Sequence, residues 1–214
     1  KVAVNRLGLE RVLVVDWDVH HGNGTQDILY DDDRILVFSM HRHGGFYPGT
    51  GDMDEVGAEC ALGKNINVPF SVHHPYGDGD ALFVWNHILV PVAYEFKPDL
   101  IIVSAGFDAV EGDPLGEMQM TPQIYGHLIR LLEPTVPNGR IVLCLEGGYK
   151  CDTVAHCVSE CIKVLLGQQP SSIPDQYGSI VHNERTPSGH HMDIYRRVLR
   201  TQARYWRSLA FLES

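Results

Sequence analysis

The chain has 214 residues, of which 44% are hydrophobic and 21% charged, a balance typical of one globular domain with a sizeable core. Its formal net charge is −10 with histidine neutral. This charge argues against sequence-independent binding of nucleic acid, which requires a basic face, and fits a Lys-rich protein partner better. The sequence has no apolar run approaching the roughly 20 residues that a membrane-spanning helix needs.

Short apolar runs alternate with helix-like segments along the chain. Four runs have the length and β-branched content of strands: residues 11–15, 35–40, 100–104 and 141–145. Within each run the apolar residues are continuous and do not alternate with polar ones, which predicts a parallel sheet covered on both faces. Three helices are predicted, at residues 80–96, 121–132 and 153–166. Strands alternating with helices indicate the α/β fold class.

The composition predicts three parts. Residues 1–167 form the main domain, and residues 168–189, rich in Gln, Pro, Ser and Gly, form an irregular connector. Residues 190–214 form a tail in which an amphipathic helix at 192–212 packs back on the domain. Five cysteines without CxxC spacing favour a reduced intracellular compartment, and Cys157 and Cys161 are expected to be buried on one helix face.

Polar clusters follow three of the predicted strands, at residues 16–21, 106–108 and 146–149. Sites in parallel α/β sheets form where the carboxyl ends of strands meet. If the chain stays extended past Val15, then Asp16, Asp18 and His20 point to one side, and Asp108 can approach from a neighbouring strand. Two carboxylates and an imidazole can hold a zinc ion and leave its fourth position open for water.

A plainer explanation of residues 16–24 is a capped loop that leads into a helix. For an isolated Asp-x-Asp-x-His sequence this explanation is the commoner one. Asp108 at a second strand end favours a site instead, as do glycines that permit close backbone approach, such as Gly22 and Gly106.

Residues 14–26, Val-Val-Asp-Trp-Asp-Val-His-His-Gly-Asn-Gly-Thr-Gln, resemble the signature of class II histone deacetylases. The resemblance continues in family order at residues 38–42, 46–49, 104–108 and 145–149. Residues 205–209 are similar to the tail of the class IIb, cytoplasmic tubulin deacetylase type. The resemblance implies an arginase/deacetylase-like parallel sheet between helices, incomplete at the N-terminus. It also implies hydrolysis of N6-acetyl-lysine on histones, tubulin or other proteins. The implied location is the nucleus or the cytoplasm, and the implied further partners are corepressor proteins.

The same resemblance implies two ion sites, a zinc site and a structural potassium site. The implied zinc ligands are Asp18, His20 and Asp108, and the implied potassium site consists of Asp16 with backbone oxygens around Ser39 and Met40.

Further residues are implied to act on the substrate. Tyr149 matches the tyrosine that stabilises the transition state of the family's reaction. Tyr47, Leu115 and Gly148 match positions along the acyl-lysine channel. An apolar Leu115 at the rim favours a peptide substrate over an acetylated polyamine.

The family also uses two adjacent histidines as general base and general acid, and these precede the Asp16 block. Residues 1–15 contain no histidine. The pairs His73-His74 and His190-His191 do not match the motif and are expected to be solvated. We therefore expect an isolated chain with little activity, an exposed sheet edge and an exposed apolar face.

Two alternatives to an active deacetylase stay open. A truncated, non-catalytic scaffold would retain the fold and recruit partners. An arginase-type binuclear enzyme is disfavoured, because residues 108–111 offer no second carboxylate at a bridging spacing from Asp108.

Overall fold

A five-stranded parallel sheet forms the centre of the computed structural model, which describes residues 1–173 and 189–210. The strands lie in the order β3-β2-β1-β4-β5. Their bounds are β1 (Val12–Asp16), β2 (Ile35–His43), β3 (Asn65–Ser71), β4 (Leu100–Ala105) and β5 (Ile141–Leu145). All four pairings are parallel, so the predicted parallel sheet is confirmed and the five carboxyl ends lie on one side.

Strand β3 lies outside the four predicted runs. Asn65 and Asn67 interrupt its apolar sequence, and Pro69 removes one backbone donor. Proline is tolerated here because β3 is an edge strand. The two asparagines are buried, and the Nδ2 atoms donate to Oε1 of Gln26 at 2.8 and 2.9 Å. This shared acceptor gives both amide NH2 groups a hydrogen-bond partner, which reduces the cost of burying the two asparagines in a strand.

The two faces of β1 pack against different layers. Leu13 and Val15 point into the main core of the domain. Val12 and Val14 join a smaller cluster that includes Val4 of the first helix. Burial on both faces explains why every residue of β1 is apolar until the strand ends.

Helices lie on both sides of the sheet: α1 (Val2–Arg6), α2 (Asn23–Leu29), α3 (Asp78–Val84), α4 (Val90–Phe96), α5 (Pro122–Leu132), α6 (Cys151–Leu165), α7 (Met192–Gln202) and α8 (Arg207–Ala210). Helices α5 and α6 confirm two predictions. The single helix predicted at 80–96 is instead divided by a π-helical turn, Trp85–Leu89. Pro91 has no N–H to donate, and just before it the Val90 N–H donates to the carbonyl of Trp85, five residues back.

Cys157 and Cys161 are both buried on α6, as their four-residue spacing predicts. Burial raises the pKa of the Cys157 thiol to about 12 and raises the pKa of Cys161 as well. Both thiols therefore stay protonated and pack as small apolar groups.

The C-terminal tail packs back on the domain through two helices, α7 and α8, and not through the single predicted helix. Residues 203–206 separate them, and the Trp206 Nε1 donates to the carbonyl of Gly63 at 2.9 Å. The predicted helix end at Leu212 and most of the predicted connector, residues 174–188, lie outside the described residues.

One predicted exposure is wrong. His191 is fully buried, with its Nδ1 3.0 Å from Oδ1 of Asp80, whereas solvation was expected for the His190-His191 pair. The Tyr195 hydroxyl donates to the same carboxylate oxygen at 2.7 Å. The Asp80 carboxylate thus gives both the His191 ring and the Tyr195 hydroxyl a hydrogen-bond partner, which offsets the cost of burying these two groups.

One face of the sheet is only partly covered. Helices α1 and α2 pack over β1 and β2, whereas on the same face of β5 Val142 is 48% exposed and Cys144 is also exposed. Strand β5 is also an edge strand. The expected exposed edge and apolar face are therefore present. Within the described residues, none of the helices has the length and apolar character required to traverse a bilayer.

We predict that Trp206→Ala lowers the free energy of unfolding by about 3–5 kcal/mol, because it removes a buried ring and a buried hydrogen bond. Urea denaturation measures the change. The matched control is Tyr94→Ala on α4, where the ring is 52% exposed and the expected loss is below about 1 kcal/mol. Equal losses in the two variants would contradict the proposed docking of the tail.

Candidate metal centre and active site

The loops after β1 and β4 bring Asp18, His20 and Asp108 together. The Nδ1 of His20 lies 3.0 Å from Oδ1 of Asp18 and 3.1 Å from Oδ2 of Asp108. One donor atom from each residue lies within 4.8 Å of the other two, and no other part of the described chain groups three such residues. Donors this close can share a single cation.

The three residues do not meet in the way that strand periodicity suggests. Strand β1 ends at Asp16, and the next residues form bends, so the expected extended conformation is wrong. The Asp18 N–H donates to Asp16 Oδ1 at 3.0 Å, and the His20 N–H donates to Asp18 Oδ1 at 2.8 Å. The Val19 N–H donates to Asp108 Oδ1 at 2.8 Å. Carboxylates accepting from the backbone therefore hold this loop against β4.

Two glycines allow the carboxylates to approach the backbone. A Cβ at Gly106 would overlap the carboxylate of Asp18, and one at Gly147 would lie 2.5 Å from Oδ2 of Asp108. The Gly147 N–H donates to Oδ2 of Asp18 at 3.1 Å. The loop after β5 thus contributes a backbone donor, and no larger residue fits at either position.

The charges of the group favour a bound cation. Hydrogen bonding to Asp108 and then to Asp18 raises the pKa of His20 to about 9. Burial alone would raise the pKa of Asp18, but the hydrogen bonds from His20 outweigh it and the pKa is lowered. Burial raises the pKa of Asp108. The two carboxylates share a single proton, the one on Nδ1 of His20. A divalent cation in place of that proton would bring two positive charges to the two carboxylates. The nitrogen and oxygen donors present fit zinc.

The residues of the predicted potassium site lie on adjacent strands. Asp16 pairs in register with Ser39, and Met40 follows in β2. Burial, together with repulsion from Asp18, raises the pKa of Asp16 well above its usual value. The Ser39 hydroxyl lies 2.8 Å from Nδ1 of buried His41. A buried carboxylate is a setting in which a cation would be stabilising, and the site stays a prediction.

Tyr149 follows the glycine pair Gly147-Gly148 and is 53% exposed. Gly148 adopts a φ of +128°, and a Cβ there would lie 2.8 Å from Val154 Cγ2. Partial burial, together with the charges of Asp108 and Asp18, raises the pKa of Tyr149. Its hydroxyl therefore stays protonated at neutral pH and can donate a hydrogen bond.

Aromatic side chains lie beside His20, one of the three predicted cation ligands. Phe46 stacks on the His20 ring with centroids 4.9 Å apart and an interplanar angle of 15°. Tyr47 meets the same ring edge-on at 6.2 Å and is 77% exposed, so its hydroxyl reaches water. The Arg42 guanidinium lies 4.7 Å from the Phe46 ring centre. Leu115 is 49% exposed.

Two residues near the site have no role assigned from the sequence. Phe46 contacts His20 more closely than Tyr47, the channel residue predicted from the sequence. The sequence of this aromatic pair does not show which of the two rings faces inward. Asp113 is buried and accepts the Tyr149 N–H. Its only local signal is Asp113-Pro114, which is typical of a turn.

A family model described as "Histone deacetylase domain" matches residues 1–165. The chain belongs to the histone deacetylase domain family. Histone deacetylase 15 from Arabidopsis thaliana is 42% identical over 206 residues, which cover 95% of this chain and 36% of that protein. Histone deacetylase HDA1 from Saccharomyces cerevisiae is 38% identical over 204 residues, which cover 92% of this chain and 27% of that protein.

The crystal structure of the HDA15 HD domain has the same fold. The TM-score is 0.87 at 40% identity, over 98% of this chain and 56% of that one. The expected arginase/deacetylase-like arrangement, a parallel sheet flanked by helices, is therefore confirmed. The chain spans about a third of the length of these curated relatives. Those relatives are plant and yeast histone deacetylases. The similarity to them does not distinguish the class IIb type from other class II enzymes.

We predict that Gly106→Ala weakens zinc binding by about 10- to 100-fold, because the added methyl displaces Asp18 from the other two ligands. Chelator competition with purified protein measures the affinity. Gly24→Ala is the matched control, since a Cβ at Gly24 meets nothing within 4 Å. Equal zinc affinity in both variants would show that Asp18 is not a ligand.

Proposed function

We propose that this deacetylase chain is the cation-binding part of a zinc-dependent protein lysine deacetylase that hydrolyses N6-acetyl-lysine on histones, tubulin or other proteins. The observation that carries the proposal is the grouping of Asp18, His20 and Asp108 within 4.8 Å, at a sheet end that also presents Tyr149. Family membership and the names of the relatives support the reaction.

Each part of the group has a separate task in this proposal. Asp18, His20 and Asp108 would hold zinc, which supplies Lewis acidity to the acyl carbonyl and to the attacking water. The Tyr149 hydroxyl would donate to the carbonyl oxygen as negative charge develops there. Donation is needed only in the transition state, so Tyr149 would raise the rate more than it tightens substrate binding.

The surrounding side chains would shape the entry. Phe46 and Tyr47 border the His20 side, and Leu115 lies at the rim. Gly148 would line the channel with its backbone, and its lack of a side chain leaves room for Val154 and Phe107. An apolar, exposed Leu115 would contact a peptide and would offer no charge to a polyamine. Acetylated tails of Lys-rich proteins would also be attracted by the net charge of −10.

Potassium at Asp16, with backbone oxygens around Ser39 and Met40, is the second proposed ion. Its role would be structural, because Asp16 also accepts the N–H of Asp18 and thereby fixes the zinc loop. Neutralising the Asp16 carboxylate would also reduce its repulsion with Asp18.

A second candidate is a truncated scaffold that keeps the deacetylase surface without turnover. A chain without the family's histidine pair would lack general acid/base catalysis, and residues 1–15 contain no histidine. The two candidates make different predictions for the extended domain, meaning this chain preceded by the sequence that carries the histidine pair in the family.

We predict that Tyr149→Phe lowers kcat of the extended domain by about 100- to 1,000-fold while zinc content is unchanged, because one oxyanion donor is lost. Turnover of an acetyl-lysine peptide and metal analysis are measured together. Tyr94→Phe is the matched control, since it removes an equally exposed hydroxyl from α4. Near-normal turnover of Tyr149→Phe would rule out the role given to this tyrosine.

We predict that the chain of 214 residues alone turns over the same peptide at least about 100-fold more slowly than the extended domain, because general acid/base catalysis is missing. Peptide turnover per bound zinc is the measurement. Comparable rates would show that proton transfer comes from residues within this chain. An extended domain that binds zinc but has no turnover would favour the scaffold.

A further inference from the structure

A buried carboxylate connects the rim of the site to the loop that carries Tyr149. Asp113 is 3% exposed and lies in the rim loop, residues 111–117. Its Oδ1 accepts the N–H groups of Leu115 at 2.8 Å and Gly116 at 3.1 Å. Its Oδ2 accepts the Tyr149 N–H at 2.7 Å. Three backbone donors on one buried carboxylate make charge-assisted bonds, which are stronger than bonds between neutral groups.

The rim loop is fixed against the cation ligands on its other side. A Cβ at Gly116 would overlap the carbonyl oxygen of Asp108, so the two backbones are in direct contact. The Arg42 Nη1 donates to the Gly116 carbonyl at 3.2 Å and to Glu117 Oε2 at 2.9 Å. Asp113 therefore joins Tyr149 to a loop that is already positioned relative to the proposed zinc ligand Asp108.

Tyr149 has few other restraints. Its side chain is more than half exposed, so packing holds the ring weakly, and it follows Gly147-Gly148, where the backbone has wide conformational freedom. The bond from its N–H to Asp113 fixes the backbone at the residue itself. Small displacements matter here, because an oxyanion donor must lie about 2.7–3.1 Å from the developing charge.

We propose that Asp113 is a positioning residue that sets the location of the Tyr149 hydroxyl for catalysis and, through Leu115, the shape of the substrate rim. This inference rests on the proposed function, in which Tyr149 donates to the oxyanion. Asp113 does not touch the reacting atoms and acts through Tyr149.

The first test is Asp113→Asn in the extended domain. The asparagine oxygen can still accept from Leu115 and Gly116, but its amide then presents N–H groups to the Tyr149 N–H. We expect kcat to fall by about 10- to 100-fold, as for a misplaced catalytic group, with zinc content unchanged. KM should change by less than about threefold, since the lost interaction belongs to the transition state.

The decisive test is the double variant with Tyr149→Phe. If Asp113 acts through the Tyr149 hydroxyl, Asp113→Asn lowers kcat by less than about twofold in the Tyr149→Phe background, because coupled residues are not additive. A merely structural role would reduce kcat by the same factor in both backgrounds. That multiplicative result would overturn the inference, as would normal kcat in the single Asp113→Asn variant.

A matched control removes the same kind of interaction far from the site. Asp99 accepts the N–H groups of Glu10 at 2.9 Å and Arg11 at 2.8 Å, at the end of the sheet where β1 and β4 begin. We expect Asp99→Asn to leave kcat unchanged. A loss of kcat equal to that of Asp113→Asn would assign the effect to general destabilisation and reject the inference.

Hydrogen exchange of the unaltered protein tests the contact without relying on a variant that folds. The Tyr149 amide should exchange at least about tenfold more slowly than an unprotected amide, although its side chain is exposed. An unprotected amide would overturn the inference. The proposed function fails separately, since normal turnover by Tyr149→Phe alone would reject it whatever Asp113 does.

Discussion

The contact of one imidazole with two carboxylates constrains the whole carboxyl end of the sheet. His20 faces both Asp18 and Asp108, whose like charges repel each other when they are removed from water. Backbone donors from Val19 and Gly147 offset part of that repulsion. The arrangement therefore requires three loops, after β1, β4 and β5, to converge. A bound divalent cation would complete the charge balance that these donors begin.

The convergence explains the positions of the glycines. Gly106, Gly116 and Gly147 each lie where a Cβ would collide with the carboxylate of Asp18 or Asp108 or with the backbone of Asp108. Glycine loses more conformational entropy on folding than any other residue, so its use at three points around one residue group reflects close packing there. The same close packing transmits position from Asp108 to the rim loop and, through Asp113, to Tyr149.

The chemistry of the proposed reaction is divided along the chain. The residues proposed as cation ligands, oxyanion donor and channel lining all lie within the described part, whereas residues 1–15, ahead of the Asp16 block, contain no histidine. Burial is also uneven between the two faces of the sheet. Its main core is buried, but the opposite face at β5 leaves Val142 and Cys144 exposed. Both observations are consistent with the 56% coverage of the HDA15 HD domain.

The amino-acid sequence alone determined the parallel sheet and the burial of Cys157 and Cys161, because these depend on local periodicity. It also showed which residue types follow the strand ends, although the conformation that brings them together is a bend and not an extended strand. It did not predict strand β3 or the partner of buried His191, and it missed the role of Phe46. Tertiary structure decided these features through contacts between distant residues: Asp80 and His191 are 111 positions apart, and Asp113 and Tyr149 are 36 apart. A buried polar group is recognisable only when its partner is known, and local sequence does not contain that partner.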